Sequence, residues 1–404
     1  MTSPESWQGS AEASPAANRR LILLAAGMFA VGTDSFVIAP LLPFIARDFG
    51  VTIAAAAQLI TAYALTYALC SPFVATVTAH WPRQRTMLAG LTIFVLANVG
   101  AAFAPGFATV LVARALAGLG AAIFAPVAAA TATGLVAAGG RGRALSIMMI
   151  GLSSATALGA PLGTLVGSVA DWRTVFLLVA ALAAAVDIAV AVSMRAGAEV
   201  DGAPLAERLR PLRDARVFSV LLTTFLVLTG LYISYTYISV IFDRATGHDG
   251  ARMALLQSIW GFAGIAGAAL AGRLTDRWSG TAVVRLTLVV VFVDFALLPL
   301  TSAHPASAAA AMVVWGLCGW GFVVPQQYRL IGMAPQAGPI LLALYTMAVY
   351  AGTSASGVIG ALALHVVGPH QLPLVGAGLI LSGLAVEEYA RRRHKRMSFA
   401  IPGV

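Results

Sequence analysis

The sequence is poor in charged residues and in cysteine. Asp, Glu, Lys and Arg together make up 10% of its 404 residues, while 59% are hydrophobic and the mean hydropathy is +0.88. A soluble domain of this length needs far more charge to cover its surface, so the composition excludes one. The two cysteines, Cys70 and Cys318, fall inside apolar segments. Small core residues are expected there, with no disulfide and no metal site.

Residues that carry enzyme chemistry are also scarce. The six histidines are scattered over loops and segment ends, and the sequence contains no phosphate-binding glycine loop and no metal-ligand spacing. An enzyme and an ATP-driven pump are therefore not expected, and neither is a cofactor. The formal net charge is +9, but the basic residues sit in short loops between apolar segments, which disfavours nucleic-acid binding.

What the sequence does contain is a series of apolar blocks of about 20 residues, the length that crosses a bilayer core of ~30 Å. Helices satisfy their backbone hydrogen bonds within each span. The sequence therefore predicts an all-α polytopic membrane protein with twelve transmembrane helices. The predicted spans cover residues 20–45, 53–79, 86–104, 107–136, 143–168, 173–195, 216–241, 251–273, 284–303, 306–333, 338–367 and 370–390.

Lys and Arg are distributed unevenly between the two sides of this predicted protein. Twenty of the 25 fall on the side of the N-terminus, four fall on the opposite side, and Arg114 lies inside a span. Because cytoplasmic loops carry the excess of Lys and Arg, both termini are expected in the cytoplasm and the protein in the inner membrane. Residues 1–18 lack the order of a signal peptide, so we expect a disordered cytoplasmic tail there.

The longest polar stretch divides the chain into two sets of six spans. The loops after spans 2 and 8 read AHWPRQR and GRLTDRWSG, and two similar halves are typical of a transporter built from repeats. The expected division is an N-terminal six-helix bundle at 19–195, a cytoplasmic linker at 196–215 with a short amphipathic helix from Leu205 to Arg213, a C-terminal six-helix bundle at 216–390 and a basic cytoplasmic tail at 391–404.

Glycines recur at four-residue spacing in span 5, where Gly159, Gly163 and Gly167 surround Pro161. Spans 8 and 11 carry similar glycine faces. Small residues on one helix face let two backbones approach closely. Because such faces occur in equivalent spans of both halves, a sliding interface is favoured, and ordinary static packing is the alternative.

Four local motifs resemble those of a known family. They are GTDSFVIAPLLPFIARDFGV in span 1, RALAGLG from Arg114 in span 4, GLSSATALGAPLGTLVG in span 5 and GRLTDR after span 8. With the twelve spans, they resemble the major facilitator superfamily across the whole chain. Within it, the span 1 and span 5 strings resemble twelve-span drug:proton antiporters of the arabinose-efflux and chloramphenicol-resistance type.

One loop departs from the family pattern. The family carries Gly, Asp and Gly where this chain has Ala75, Ala79 and Pro82. In the family, the missing Asp helps to lock the cytoplasmic side shut in the outward-open state. The second-half copy, with Asp276 and Arg277, is expected to take over these charge contacts, or else the protein favours a different resting state.

Ionisable residues deep inside spans are functional candidates because they are expensive in a bilayer. Asp34 lies about 13 residues into span 1, or ~20 Å along the helix axis, and Arg114 lies at a similar level in span 4. In the resembled fold, spans 1 and 4 line the central cavity. We therefore predict a proton-coupling charge pair, because burial and a neighbouring guanidinium act on a carboxyl in opposite senses. A purely structural ion pair is the alternative.

Two further acids, Asp187 in span 6 and Asp294 in span 9, occupy spans that are peripheral in the resembled fold. Local hydrogen bonding or snorkelling towards the interface is expected for both.

Aromatic and amide side chains on the cavity-lining spans are the candidates for substrate binding. Such a set suits a lipophilic ligand that is neutral or weakly cationic, although each ring taken singly is more often an interface anchor. The substrate-binding candidates are Phe36, Gln58, Tyr63, Tyr67, Phe124, Tyr232, Tyr235, Gln257, Trp260, Trp320, Gln326 and Tyr345. Tyr237, Trp315, Gln327 and Tyr350 lie on the same spans.

These expectations combine into one function. The chain is predicted to be a monomeric exporter that exchanges protons for small lipophilic or amphipathic compounds such as drugs, by alternating access of its halves in the lipid bilayer. One alternative is the export or uptake of a sugar or small polar metabolite, with the glutamines and tyrosines binding hydroxyl groups. Another is a receptor that does not transport, for which a soluble domain is expected and is absent from this sequence.

Overall fold

The computed structural model describes residues 15–78, 80–194 and 205–399. Within these ranges the chain is helical, and twelve helices are long and apolar enough to cross a membrane, as predicted. In chain order they are α1 Pro15–Phe49, α2 Ile53–Val74, α3 Arg83–Ala102, α4 Phe107–Gly134, α5 Arg141–Val169, α6 Trp172–Ser193, α7 Ala215–Thr236, α8 Gly250–Arg277, α9 Gly280–Thr301, α10 Pro305–Met333, α11 Pro335–Val367 and α12 Pro369–Arg392.

Some helix ends differ from the predicted ones. Helix α1 begins at Pro15, so residues 15–18 are helical and not a disordered tail. Proline suits the first turn of a helix because its missing N–H has no partner there. The helix of the last span continues to Phe399, through most of the predicted basic tail. The rest of the two predicted tails, residue 195 and residues 196–204 of the linker lie outside the described residues.

Short helices complete the described chain. The predicted linker helix is present as Leu205–Leu209, followed by a 3₁₀ turn at Arg210–Arg213. The predicted seventh span is interrupted at Tyr237, and two single turns follow α7 at Ile238–Ile241 and Asp243–Thr246.

Twelve spans place the start of α1 and the end of α12 on one face of the bundle, here called the terminal face. The opposite face is called the distal face. Helices α1–α6 are called the first six spans and α7–α12 the last six spans. Contacts between the two sets concentrate where α5 meets α8, where α2 meets α11 and where α1 meets the end of α7 and the turn Ile238–Ile241.

The glycines of α5 pack against α1 within the first six spans. A Cβ added at Gly159, Gly163 or Gly167 would meet Thr33, Val37 or Leu41 of α1, respectively. The Gly159–Pro161 segment also follows a π-helical turn at Ala155–Gly159. In this conformation these glycines therefore pack inside one set of helices and not across the two sets.

The glycine faces of α8 and α11 are divided between two kinds of contact. Gly264 lies against the indole of Trp320 and Gly360 against the ring of Tyr237, both within the last six spans. Gly261 lies against the backbone of Ala157 in α5, and Gly357 lies against Thr61 in α2. Only some of these glycines therefore lie where the first six spans contact the last six spans.

Candidate functional site

The predicted pair of Asp34 and Arg114 is present in the core of the first six spans. The Nη1 atom of Arg114 donates to both carboxylate oxygens of Asp34, at 2.8 and 2.7 Å. Their side chains are 0% and 1% exposed. A buried ion pair is tolerated because each charge offsets the other's desolvation, and removing either partner alone costs about 3–5 kcal/mol.

Two aromatic rings lie against the guanidinium of Arg114. The Cζ atom of Arg114 lies 4.6 Å from the ring centroid of Tyr63 and 5.7 Å from that of Phe176. The Nε and Nη2 atoms of Arg114 form no hydrogen bond with any described residue. The hydroxyl of Tyr63 accepts a hydrogen bond from Ser35, at 3.0 Å. Arg114 therefore keeps favourable contacts that do not depend on the charge of Asp34.

Six rings, here called the aromatic cluster, gather where α1 meets the last six spans. Phe36 lies 5.6 Å from Tyr235, 6.0 Å from Trp260 and 6.1 Å from Trp320 between ring centroids. The cluster consists of Phe36, Tyr232, Tyr235, Trp260, Trp315 and Trp320. Phe36 is two residues beyond Asp34 on α1, so one helix carries both the buried acid and a ring of the cluster.

A chain of uncharged hydrogen bonds crosses between the two sets of spans beside these rings. Thr164 of α5 donates to Gln257 of α8 at 2.6 Å, and Gln257 donates to the hydroxyl of Tyr235 at 3.4 Å. Tyr235 in turn donates to the backbone carbonyl of Phe36 at 2.9 Å. Residue Pro40 has no N–H for the carbonyl four residues earlier, which is that of Phe36. Tyr235 thus satisfies an acceptor that the sequence of α1 leaves free.

The tyrosines of α2 lie against α11, beside the aromatic cluster. The rings of Tyr67 and Tyr350 are stacked, with centroids 3.7 Å apart. The side chain of Gln58 donates to the carbonyl of Gly357 at 3.3 Å. These contacts of α2 with α11 form a second line of contact between the first and the last six spans, which runs from the distal end of α2 to its middle.

Three of the substrate-binding candidates lie away from the aromatic cluster. The ring of Phe124 is fully buried in the core of the first six spans, against Gly27 of α1. Tyr345 is buried in a separate apolar cluster that includes Val217 and Leu330. Periodicity places all of these residues on cavity-lining helices, but it does not distinguish the cavity face of a helix from its packing face.

Gln326, the third of these residues, belongs to a polar network that could not be predicted from the sequence. The guanidinium of Arg329 donates to Gln326 at 2.9 Å and pairs with Glu387 of α12 at 2.8 Å. The Arg329 and Glu387 side chains are only 16% and 3% exposed. The sequence places Arg329 inside the predicted span at 306–333 and Glu387 inside the predicted span at 370–390, each near the end of its span. Their burial is decided by the packing of α10 on α12.

The expected contacts of the second loop motif are not formed in this conformation. Asp276 and Arg277 are exposed at the end of α8, and no ion pair joins either one to another described residue. In the first motif, Ala79 lies outside the described residues, and Arg83 donates to the carbonyl of Ala130 at 3.3 Å. In the described part of the chain, no group of three or more His, Cys, Asp or Glu residues could hold a metal ion.

The two peripheral acids differ from each other. Asp187 is half-buried and accepts a hydrogen bond from Thr92 of α3 at 2.9 Å, as expected. Asp294 is 9% exposed, and its Oδ2 atom is buried without a hydrogen-bond partner among the described residues. Neither local hydrogen bonding nor snorkelling describes Asp294.

Comparisons with known proteins agree with this architecture. The family model described as Major Facilitator Superfamily matches residues 24–357. The inner membrane transport protein YdhP of Escherichia coli K12 is 30% identical over 91% of this chain and 94% of its own. A chloramphenicol resistance protein of Streptomyces lividans is 29% identical over 90% and 93%. A chloramphenicol efflux pump of Mycobacterium tuberculosis H37Rv is 31% identical over 75% of each.

Solved structures share the fold. A bacterial homolog of the human lysosomal transporter Spinster, in an inward-facing and unoccupied conformation, superposes with a TM-score of 0.75 at 16% sequence identity. The match covers 94% of this chain and 98% of that one.

Proposed function

Since this chain belongs to the major facilitator superfamily, we propose that it exports small lipophilic or amphipathic compounds from the cytoplasm in exchange for protons. As a member of that superfamily it is a multi-pass inner membrane transporter of small molecules and not an enzyme. In the proposal, the terminal face is cytoplasmic, and the bundles at 19–195 and 216–390 move against each other as two bodies of a monomer in the bilayer.

The buried pair of Asp34 and Arg114 supports proton coupling. With Asp34 ionised, the two charges offset each other and hold α1 against α4. A proton on Asp34 removes this attraction, while Tyr63 and Phe176 continue to hold the guanidinium. The strength of the α1–α4 contact therefore depends on protonation. Because α1 also contributes Phe36 to the aromatic cluster, this dependence reaches the region where a substrate would lie.

The aromatic cluster supports a lipophilic substrate. Its rings come from both sets of spans, so a flat apolar molecule held there would contact both moving bodies. Two of the similar proteins are a chloramphenicol resistance protein and a chloramphenicol efflux pump. Chloramphenicol is therefore the first compound to test on this chain.

The polar-metabolite alternative is less well supported. The glutamines that would bind hydroxyl groups already have protein partners: Gln58 bonds to Gly357, Gln257 to Thr164 and Tyr235, and Gln326 to Arg329 and Thr224. A sugar would have to break these bonds to replace them.

The test is uptake of labelled chloramphenicol into proteoliposomes with an imposed pH gradient, with labelled arabinose as the polar comparison. We expect gradient-driven transport of chloramphenicol and not of arabinose, and we expect Asp34→Asn to abolish it. Asp187→Asn is the matched control, because that acid lies at the edge of the bundle and bonds only to Thr92 among the described residues. An Asp34→Asn protein that inserts normally and still transports uphill in a pH-dependent manner would remove Asp34 from the mechanism.

A further inference from the structure

Asp294 is a buried acid that the proposed mechanism does not use. It lies on α9, seven residues before Thr301, or ~10 Å from the distal end of that helix. Its side chain is 9% exposed, its Oδ2 atom is buried without a partner, and no described cation pairs with it. A lone carboxylate in such a place is very costly, whereas the neutral acid is far less so.

The groups packed around Asp294 offer it no compensating charge. On the helices packed against α9, Cys318 of α10 is the titratable residue that lies at mid-helix. The other titratable or charged residues of the helices packed on α9 lie near the helix ends. They are Arg252, Arg273, Asp276 and Arg277 of α8, Tyr328 and Arg329 of α10, and His370, Glu387, Glu388, Tyr389, Arg391 and Arg392 of α12.

The internal repeat indicates that helix packing does not require an acid at this position. When Trp81 is aligned with Trp278, the buried face of α3 coincides with that of α9. The matched buried pairs are Gly90 with Thr287, Leu91 with Leu288, Phe94 with Val291, Ala97 with Asp294, Asn98 with Phe295 and Ala101 with Leu298. In the first six spans the position of Asp294 is thus filled by Ala97, and the same face packs with a methyl group there.

Asp294 is also connected to the aromatic cluster. The next residue, Phe295, packs edge-on against Trp315 with centroids 5.2 Å apart, and Trp315 lies 5.7 Å from Trp260. A molecule that displaces Trp260 or Trp315 therefore shifts the ring that adjoins the acid on α9.

We propose that Asp294 is a second proton-binding site of this transporter, in the last six spans, and that it carries a proton in this conformation, in which Thr164 of α5 is bonded to Gln257 of α8. This proposal rests on the proposed function for its role in transport. When α9 and α10 shift and water reaches the carboxyl, the O–H bond breaks and the proton passes to that water, leaving the carboxylate. The two sets of spans then each contribute one acid, Asp34 with its fixed cation and Asp294 without one.

The first test does not depend on transport. In an infrared spectrum, a protonated carboxyl group gives a carbonyl stretching band that a carboxylate lacks, and the spectrum is taken on the purified protein at neutral pH. We expect Asp294→Asn to lose one such band, and Asp187→Asn to keep it. Asp294→Ala, which copies Ala97 of the repeat, is the second variant if the amide disturbs folding. Spectra in which both Asp294 variants retain every protonated-carboxyl band overturn the proposal.

The second test addresses coupling. Chloramphenicol is added to the detergent-solubilised protein in weak buffer, and released protons are counted with a pH dye. We expect Asp294→Asn to release about half as many protons per bound molecule as the unmodified protein. Equal release overturns a role for Asp294 in coupling. If the unmodified protein releases none, the proposed exchange fails, and the infrared band still decides whether Asp294 holds a proton.

Discussion

At the scale of single residues, the two members of the buried pair are not equivalent. A carboxyl left without its cation becomes neutral by taking up a proton, whereas a guanidinium stays charged at any accessible pH. The ring contacts of Arg114 with Tyr63 and Phe176 remain after the charge of Asp34 is removed. The charge of the pair can therefore change only by protonation of Asp34.

This asymmetry predicts how stability depends on pH in two variants. In Arg114→Met, the buried Asp34 is tolerated in acid as the neutral form, so thermal stability should fall as pH rises, by up to about 3–5 kcal/mol. In Asp34→Asn, the charge of Arg114 persists, so the loss of stability should not depend on pH over the same range. Thermal unfolding in detergent from pH 5 to 8 measures both. Parallel pH profiles for the two variants would contradict the assignment.

At the scale of helices, glycines decide where the aromatic rings lie. A Cβ at Gly264 of α8 would collide with the indole of Trp320 on α10, whereas a Cβ at Gly272 on the same helix meets nothing within 4 Å. A glycine-to-alanine substitution therefore tests the position of the Trp320 ring at Gly264, and it tests helix propensity alone at Gly272.

Gly264→Ala should displace Trp320 from the aromatic cluster. Overpacking of this kind costs about 1–3 kcal/mol, and chloramphenicol transport should fall with it. Gly272→Ala should be neutral or slightly stabilising, because alanine is the better helix former by roughly 1 kcal/mol. Unfolding temperature and transport rate are measured for both. Unchanged transport and stability in Gly264→Ala would show that Trp320 is not held by this contact.

At the scale of the whole molecule, the two sets of spans are joined near the distal face by uncharged contacts. Tyr235 bonds to the Phe36 carbonyl, Thr164 bonds to Gln257, and Gly250 lies against Ser168 at the distal ends of α8 and α5. At the terminal face, Asp276 and Arg277 form no ion pair with other described residues. This conformation is closed on the distal side by bonds that can break without leaving a charge buried.

Removing the hydroxyl of Tyr235 should weaken this closure. Tyr235→Phe leaves the Phe36 carbonyl without a partner, at a cost of about 1–2 kcal/mol, so the population open at the distal face should rise roughly tenfold. Tyr237→Phe is the matched control, because that hydroxyl also donates to a buried carbonyl, of Gly357, within the last six spans. The readout is the rate at which a cysteine placed at Ser168, which lies against Gly250, reacts with a membrane-impermeant maleimide, in a background without Cys70 and Cys318.

Tyr235→Phe should speed this labelling, and Tyr237→Phe should not. Labelling that stays as slow as in the background protein in both variants would show that the bond between Tyr235 and Phe36 does not govern closure. An increase of the same size in both would point to a general loosening of α7 instead.

The sequence by itself determined the number and order of the spans and brought Asp34 and Arg114 to the same depth. Hydropathy over ~20 residues and helical rise depend only on local sequence. Which face of a helix meets a neighbour depends on the other eleven helices. Four features were therefore decided by the tertiary structure alone. The α5 glycines pack against α1, and Phe124 and Gln326 are buried away from the aromatic cluster. Arg329 pairs with Glu387, and Asp294 has no cation as a partner among the described residues. The position of a charge along a span could be predicted, but its partner could be predicted only for Asp34 and Arg114, where the resembled fold indicated which spans face each other.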